Sequence, residues 1–316
     1  DGENGLNTGL ADLTLNGPVN ILSGGILSTG GTISFGAGAG ETSFANGMSG
    51  MLMKDSTLDL QTDLSVSWLE LSGESASFSS NGNTLKISNG LDIGGVELDF
   101  TDITTDNETY LNLVSDASLT KTGGLTLRQI DLKGYTLTLN QNITSLTANN
   151  IYFPDFNDSS PNYMLNTGKF KAEGVAVILR KMMYLNTGTM VMGGGKLTLE
   201  KGGFLQENAE LDLTDSTLEL AGPFYNYQAA GTLTTSASTL RLKSNVKFEP
   251  GNNATFETYE PNGWGMVLHN DAENSSEIIN LTLGTTGVDL TIEPNTESLT
   301  SGFVNYYSNE DGAVLD

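Results

Sequence analysis

Along most of the chain, apolar and polar residues alternate one for one in short runs, and each run stops at a Gly, Asn or Asp. Examples are Leu13-Thr14-Leu15-Asn16-Gly17, Thr84-Leu85-Lys86-Ile87-Ser88-Asn89-Gly90, Thr136-Leu137-Thr138-Leu139-Asn140 and Thr217-Leu218-Glu219-Leu220. A period of two is the mark of a strand with one buried face, and strands this short bury little by themselves. Windows of about 11 residues with apolar positions at helical spacing and free of Gly or β-formers are missing. The pattern predicts an all-β chain.

The intervals between copies decide how those strands are arranged. The offset from Leu58 to Leu85 is 27, as is that from Leu98 to Leu125; from Leu197 to Leu218 it is 21, and from Leu218 to Leu240 it is 22. Leu165-Asn166-Thr167-Gly168 recurs at an offset of 20 as Leu185-Asn186-Thr187-Gly188, and Leu6-Asn7-Thr8-Gly9 is a distant third copy. An interval of about 20–27 residues is the length of one coil of a parallel β-solenoid, in which each coil buries its apolar face against the next. A β-sandwich also has strands at short spacing, but it seldom reuses a tetrapeptide one coil later. The expected fold is therefore a parallel β-solenoid.

Breaks in the pattern suggest how the solenoid is divided. Phe153 to Asn162 holds two prolines among turn formers, which makes 153–162 a loop or boundary between an N-terminal segment, 1–152, and a second segment, 163–248. Pro also falls in the turn-like stretches Glu249-Pro250-Gly251-Asn252, Glu260-Pro261-Asn262-Gly263 and Glu293-Pro294-Asn295. All 14 basic residues lie between Lys54 and Lys247, so 249–316 reads as acidic C-terminal coils or a cap.

Charge and composition then narrow the function. The 38 acidic against 14 basic residues give a net charge of -24, which repels phosphate backbones and anionic membrane surfaces. The absence of Cys excludes disulfides and Cys-ligated metals, and a single His269 excludes sites built from several histidines. The longest apolar run, Val175 to Leu179, is far too short to span a bilayer as a helix. No secretory signal pattern stands at Asp1, as expected for a trimmed chain or one that never carried a leader.

The stretch Leu211-Asp212-Leu213-Thr214-Asp215-Ser216-Thr217-Leu218-Glu219-Leu220, with Ser238-Thr239-Leu240-Arg241-Leu242 and Asn252-Asn253-Ala254-Thr255, resembles the passenger regions of bacterial autotransporters and large surface adhesins. The likeness is one of texture over most of the chain. It implies a right-handed parallel β-helix at a bacterial surface or outside the cell. Polysaccharide lyases and phage tailspikes share that fold, so the fold alone names no activity.

Candidate chemistry falls into three groups. Asp99, Asp102, Asp106 and Glu108 form the densest acidic run, and oxygen ligands at such spacing can hold calcium, although an EF-hand's Gly and closing Glu are missing. Tyr225, Tyr227, Trp264, Tyr306 and Tyr307 stand in turn-like contexts where an aromatic face can meet a sugar ring or a protein. Arg180-Lys181 reads as a strand end that turns its charged heads to water, and Met182, Met183, Met190 and Met192 as core filler. Gly36 to Gly40 and Gly193 to Gly195 mark tight turns or close packing, since no phosphate-loop Lys follows them.

The expectation is a non-catalytic extracellular or cell-surface solenoid with a structural or adhesive role. Its partners would be a host or cell-surface glycan or protein, or other copies of itself joined end to end by β-augmentation, with no cofactor unless calcium. The alternative is a carbohydrate-active β-helix enzyme, which needs carboxylates and a basic residue in contact on one face.

Overall fold

The computed structural model describes residues 6–17, 20–21, 25–39, 43–44, 50–105, 107–140, 142–152, 168–185, 187–206, 208–226, 231–249, 254–268, 281–283 and 290–292. These residues contain strands and turns and no helix. The chain divides into two compact units, Asp1–Ile143 and Thr144–Asp316. Each is a parallel β-solenoid.

The second unit shows the principle most simply. Gly188–Val191, Lys196–Leu199 and Gly203–Leu205 make one coil. Ala209–Asp212, Thr217–Leu220 and Phe224–Asn226 make the next, and Thr232–Thr234, Thr239–Leu242 and Val246–Glu249 a third. Each strand pairs in parallel with its counterpart one coil away, so the coil has three faces. Leu197 stands beside Leu218 and Leu218 beside Leu240, as their spacing in the sequence predicts. Those leucines, with Leu199, Leu220 and Leu242, are fully buried. Each contributes about 1.5–3 kcal/mol by leaving water. Phe224, Phe248 and Phe256 fill the same interior and tilt against one another at 5.7 and 6.0 Å. Met183, Met190 and Met192 are core residues as expected, Met182 is only half-buried because it falls at the corner before the strand, and Arg180 and Lys181 are exposed.

In the first unit one long sheet runs through Leu6–Gly9, Ile26–Ser28, Gly50–Lys54, Leu64–Ser72, Leu85–Gly94, Tyr110–Leu113 and Gln129–Asp131. A second passes through Leu13–Leu15, Thr32–Phe35, Thr57–Leu60 and Ser77–Ser79. The intervals from Leu58 to Leu85 and from Leu98 to Leu125 do not join coil neighbours. Leu58 pairs with Phe78 and Leu98 with Leu119, both nearer in sequence than the expected partners. Leu85 belongs to the other sheet, where it stands beside Leu64. The same alternation is written on every face of a coil, so a like-for-like interval can link one face to a different one. Coil length also varies: the offset between paired residues is 19 for Leu111 and Ile130 and 25 for Ile33 and Leu58.

Corners are fixed by side chains reaching one coil along. The Oδ1 atoms of Asp12, Asp63 and Asp116 accept from the backbone N–H of Thr32, Thr84 and Thr136 at 2.8, 2.7 and 2.7 Å. Asn245 does the same for Gly265 in the second unit, at 2.8 Å. Several corners turn through positive φ. Asn81-Gly82, at 51° and 79°, is closed by a 2.9 Å bond from Asn83 N–H to the Ser80 carbonyl. Gly193-Gly194, at 30° and 76°, sits in a turn closed at 3.0 Å. The described residues of both glycine runs form turns, as expected. At 260–263 the positive φ falls on Asn262 and Gly263, at 54° and 81°, and Pro261 occupies the corner before them.

Candidate functional site

Alternation sends every second side chain outward, and parallel register lines those outward groups into columns one coil apart, about 4.8 Å per step. The chemistry of each unit is therefore a matter of what its columns hold.

On the outer side of the long sheet in the first unit, one column reads Gly50, Trp68, Gly90, Tyr110, Gln129. Both glycines flanking Trp68 are buried. A Cβ on Gly50 would run into the Trp68 carbonyl oxygen and come within 2.8 Å of Trp68 Cε3, so there the neighbouring backbone needs the space as well as the ring, and one on Gly90 would come within 2.7 Å of Trp68 Cδ1. Neither glycine has the positive φ that would demand Gly, so what it supplies is room. The line from Cδ1 to Cε3 lies in the indole plane and runs from one neighbouring coil to the other. The ring therefore spreads along the coil axis, its edges toward the glycines and its faces away from the column. Half-buried, it also roofs backbone that the glycines would leave bare.

The adjacent column carries Leu52, Glu70, Asp92, Asn112 and Asp131. Asn112 Nδ2 donates to Asp92 Oδ1 at 2.6 Å, and Ser72 Oγ donates to Glu70 Oε1 at 2.8 Å. Among the described residues neither Glu70 nor Asp92 has an ion-pair partner. The Arg128 guanidinium lies 4.8 Å from the Tyr110 ring centroid and forms an ion pair with Glu108.

The outer columns of the second unit are closed on themselves. Tyr184, Phe204 and Tyr225 are in register, with centroids 5.3 and 5.1 Å apart and planes inclined at 3° and 28°. Each ring thus lies against the ring of the next coil, and the contact hides the faces between them. Tyr184 at the end of the stack is 46% exposed. On another face the column Thr198, Glu219, Arg241, Glu260 holds a carboxylate whose side chain is only 4% exposed. Thr198 Oγ1 donates to Glu219 Oε2 at 2.7 Å. Lys243, Lys196 and Arg241 approach the same carboxylate at 3.2, 3.5 and 3.7 Å, and Arg241 also bonds Glu260. Burial by itself would raise the Glu219 carboxyl; the Thr198 hydroxyl, the Lys243 hydrogen bond and the lysine charges outweigh it and hold it below the usual range. Arg241 is raised, first by its bond to Glu260.

The residues singled out from sequence are dispersed. Tyr225 is one rung of the aromatic stack. Trp264 is 45% exposed at a corner, its backbone N–H donating to the Pro261 carbonyl at 2.9 Å. Tyr227, Tyr306 and Tyr307 lie outside the described residues, as do Asp106 and the boundary at 153–162. Asp99 Oδ1 accepts from the N–H and the hydroxyl of Thr101, Asp102 accepts from Ser80, and Glu108 pairs with Arg128. Those three carboxylates are held by three different partners. Among the described residues no three acidic or His side chains converge as a metal site. Sequence context did not point to Trp68, Tyr184, Phe204 or Glu219. The signal for the aromatic stack is the coil interval itself, since Tyr184, Phe204 and Tyr225 follow one another at steps of about 20 residues.

Comparisons with family models, with curated proteins and with solved structures find no match for this chain.

Proposed function

We propose that the protein is a non-catalytic scaffold with an adhesive or structural role, working outside the cell or at its surface. The observation that carries this reading is the Trp68 column. The register gives up a side chain at Gly90, and another at Gly50 where the Trp68 backbone is close as well, and an indole spreads along the outer side of a regular sheet between them. Aromatic faces beside polar columns suit contact with a partner. A Cys-free chain rich in Ser, Thr and Asn suits an oxidising, wet environment. Beads coated with the full chain should adhere to surfaces bearing glycans or matrix proteins and release no reducing ends from polysaccharides. Turnover of a polysaccharide that disappears in Glu219→Gln would replace this reading with the enzymatic one. The ion cluster around Glu219 is the arrangement that gives the enzymatic alternative its interest, and the near-complete burial of that carboxylate under its cations favours a clasp between coils.

A second form of the structural role rests on the first described coil. Leu6 and Leu10 are 49% and 79% exposed, and Leu13 and Leu15 are half-buried. Their counterparts one coil on, Ile26, Ile33 and Phe35, are at most 2% exposed. Apolar residues at a sheet edge suit the addition of another parallel coil, whether from the same chain or from another copy. Electron microscopy with and without millimolar calcium tests it: filaments with an axial repeat support end-to-end assembly, and monomeric rods remove it.

A further inference from the structure

We infer that the Trp68 face binds an extended, uncharged glycan chain laid along the coil axis. This rests on the adhesive reading above and names the partner of that same face.

The argument starts from the orientation of the rings. A pyranose presents axial C–H groups on its flat side and hydroxyls around its rim, so it needs an aromatic face below and hydrogen-bonding groups alongside. The face of Trp68 is turned out of its column because Gly50 and Gly90 leave space for the ring edges. Where neighbouring coils carry aromatics instead, as at Tyr184, Phe204 and Tyr225, ring lies on ring and the faces between them are lost to a ligand. Tyr110 stands two coils beyond Trp68 in the same column, about 10 Å along the axis by strand spacing. Arg128 lies over the Tyr110 ring. Gly90 thus separates Trp68, the stacking position, from Tyr110, where a straight oligosaccharide would meet the Arg128 guanidinium that covers the ring.

The neighbouring column supplies the rim contacts. Glu70 and Asp92 accept hydrogen bonds, and the Asn112 amide both donates and accepts. Hydroxyls, which also do both, match that mixture. Charge makes the selection sharper. Glu70 and Asp92 are adjacent carboxylates without an ion-pair partner among the described residues, in a chain of net charge -24. A uronate or sulfated chain would bring like charge against them. An ammonium-bearing chain would meet the same carboxylates, but Asp92 already accepts from the Asn112 amide at 2.6 Å and Glu70 from the Ser72 hydroxyl at 2.8 Å, so neither needs a cation to be hydrogen-bonded.

The chain has two Trp, so Trp264→Phe leaves Trp68 as the only indole emitter. The Trp264→Phe chain is titrated with cellohexaose and mannohexaose, both neutral and extended, with hexagalacturonate and with hexaglucosamine. A saturable change in Trp68 emission is expected for at least one neutral hexamer, with hexagalacturonate at least about tenfold weaker. By calorimetry Trp68→Ala should weaken neutral binding about tenfold or more while circular dichroism stays unchanged, and Tyr184→Ala should leave it intact. The double variant Glu70→Gln/Asp92→Asn keeps the hydrogen-bonding atoms and removes the charge, so the penalty on hexagalacturonate should shrink severalfold. Saturation by neither neutral hexamer, or hexaglucosamine binding about tenfold tighter than both, overturns the inference. Bead adhesion separates the two levels. Adhesion that survives Trp68→Ala ends the glycan inference and leaves the scaffold; no adhesion at all ends the adhesive reading on which the inference rests.

Discussion

The two units solve the same packing problem and treat their outer faces in opposite ways. In the second, outward groups of successive coils satisfy one another: ring on ring at Tyr184, Phe204 and Tyr225, and cation around carboxylate at Glu219. In the first, the Trp68 column interrupts its aromatics with glycine, and the column beside it places Glu70 next to Asp92 without a counter-ion among the described residues. A parallel solenoid repeats its neighbours by construction, so like groups meet unless the sequence alternates. Stacked likes strengthen the rod. Interrupted ones leave surface for something else.

The comparison can be broken most forcefully at Glu219. Glu219→Ala removes the centre of a three-cation cluster and should cost about 2 kcal/mol in denaturant unfolding, because the Thr198 hydroxyl loses its charged acceptor and three partly exposed cations are left to repel one another. Asp92→Ala in the first unit, losing one hydrogen bond at a half-buried site, should cost about 1 kcal/mol. Equal losses at the two positions would erase the contrast.

Next in size is the space around the indole. Gly90→Ala should destabilise by about 1–2 kcal/mol, since its Cβ meets Trp68 Cδ1. In a Trp68→Ala background the penalty should largely vanish, a coupling that a double-mutant cycle reads directly. A penalty unchanged in that background would mean the glycine serves the backbone and not the ring. Phe204→Ala, in the middle of the aromatic stack, should lose about 1–2 kcal/mol, counting both ring contacts.

A smaller difference lies in acid. Glu219 is lowered in the folded state, so its contribution is complete above the ordinary carboxyl range and is lost as pH falls through the depressed native value. Asp59 behaves alike: the Gln61 amide holds it down most, burial opposes it next, and Asn81, Ser34 and Ser79 add to the lowering. Glu219→Gln should flatten the acid limb of the stability curve in unfolding followed at stepwise lower pH, and Gln61→Leu should flatten it less. The smallest effect is colloidal: at a net charge of -24, any self-association should increase with added salt, which sedimentation would detect.

Much of the fold was legible because its rule is local. Alternation at Leu197-Thr198-Leu199 and its repeats at Leu218 and Leu240 names the inward face and the coil length together. The longer intervals, Leu58 to Leu85 and Leu98 to Leu125, misled because faces of one coil share that alternation, so identity of pattern does not give identity of face. The candidate sites were less legible. Lys196, Glu219, Arg241 and Lys243 look like scattered charges until register sets them side by side. Gly50 and Gly90 look like turn residues, and their meaning depends on Trp68 lying between them in space. Tyr225 was found through its turn, although its place is set by Phe204 one coil earlier.

The unequal register offsets have one more consequence. A longer stretch of chain joins Ile33 to its neighbour Leu58 than joins Leu58 to its neighbour Phe78, yet each pair meets in the same column. Residues can thus enter or leave between strands without moving a single inward side chain, at a closure cost that grows only slowly with length. Such a chain carries its own ruler. A peptide epitope, a tag or a longer loop inserted at a corner changes what the solenoid displays and leaves its stacked coils alone, whereas one residue added inside a strand puts every following leucine of that strand into water.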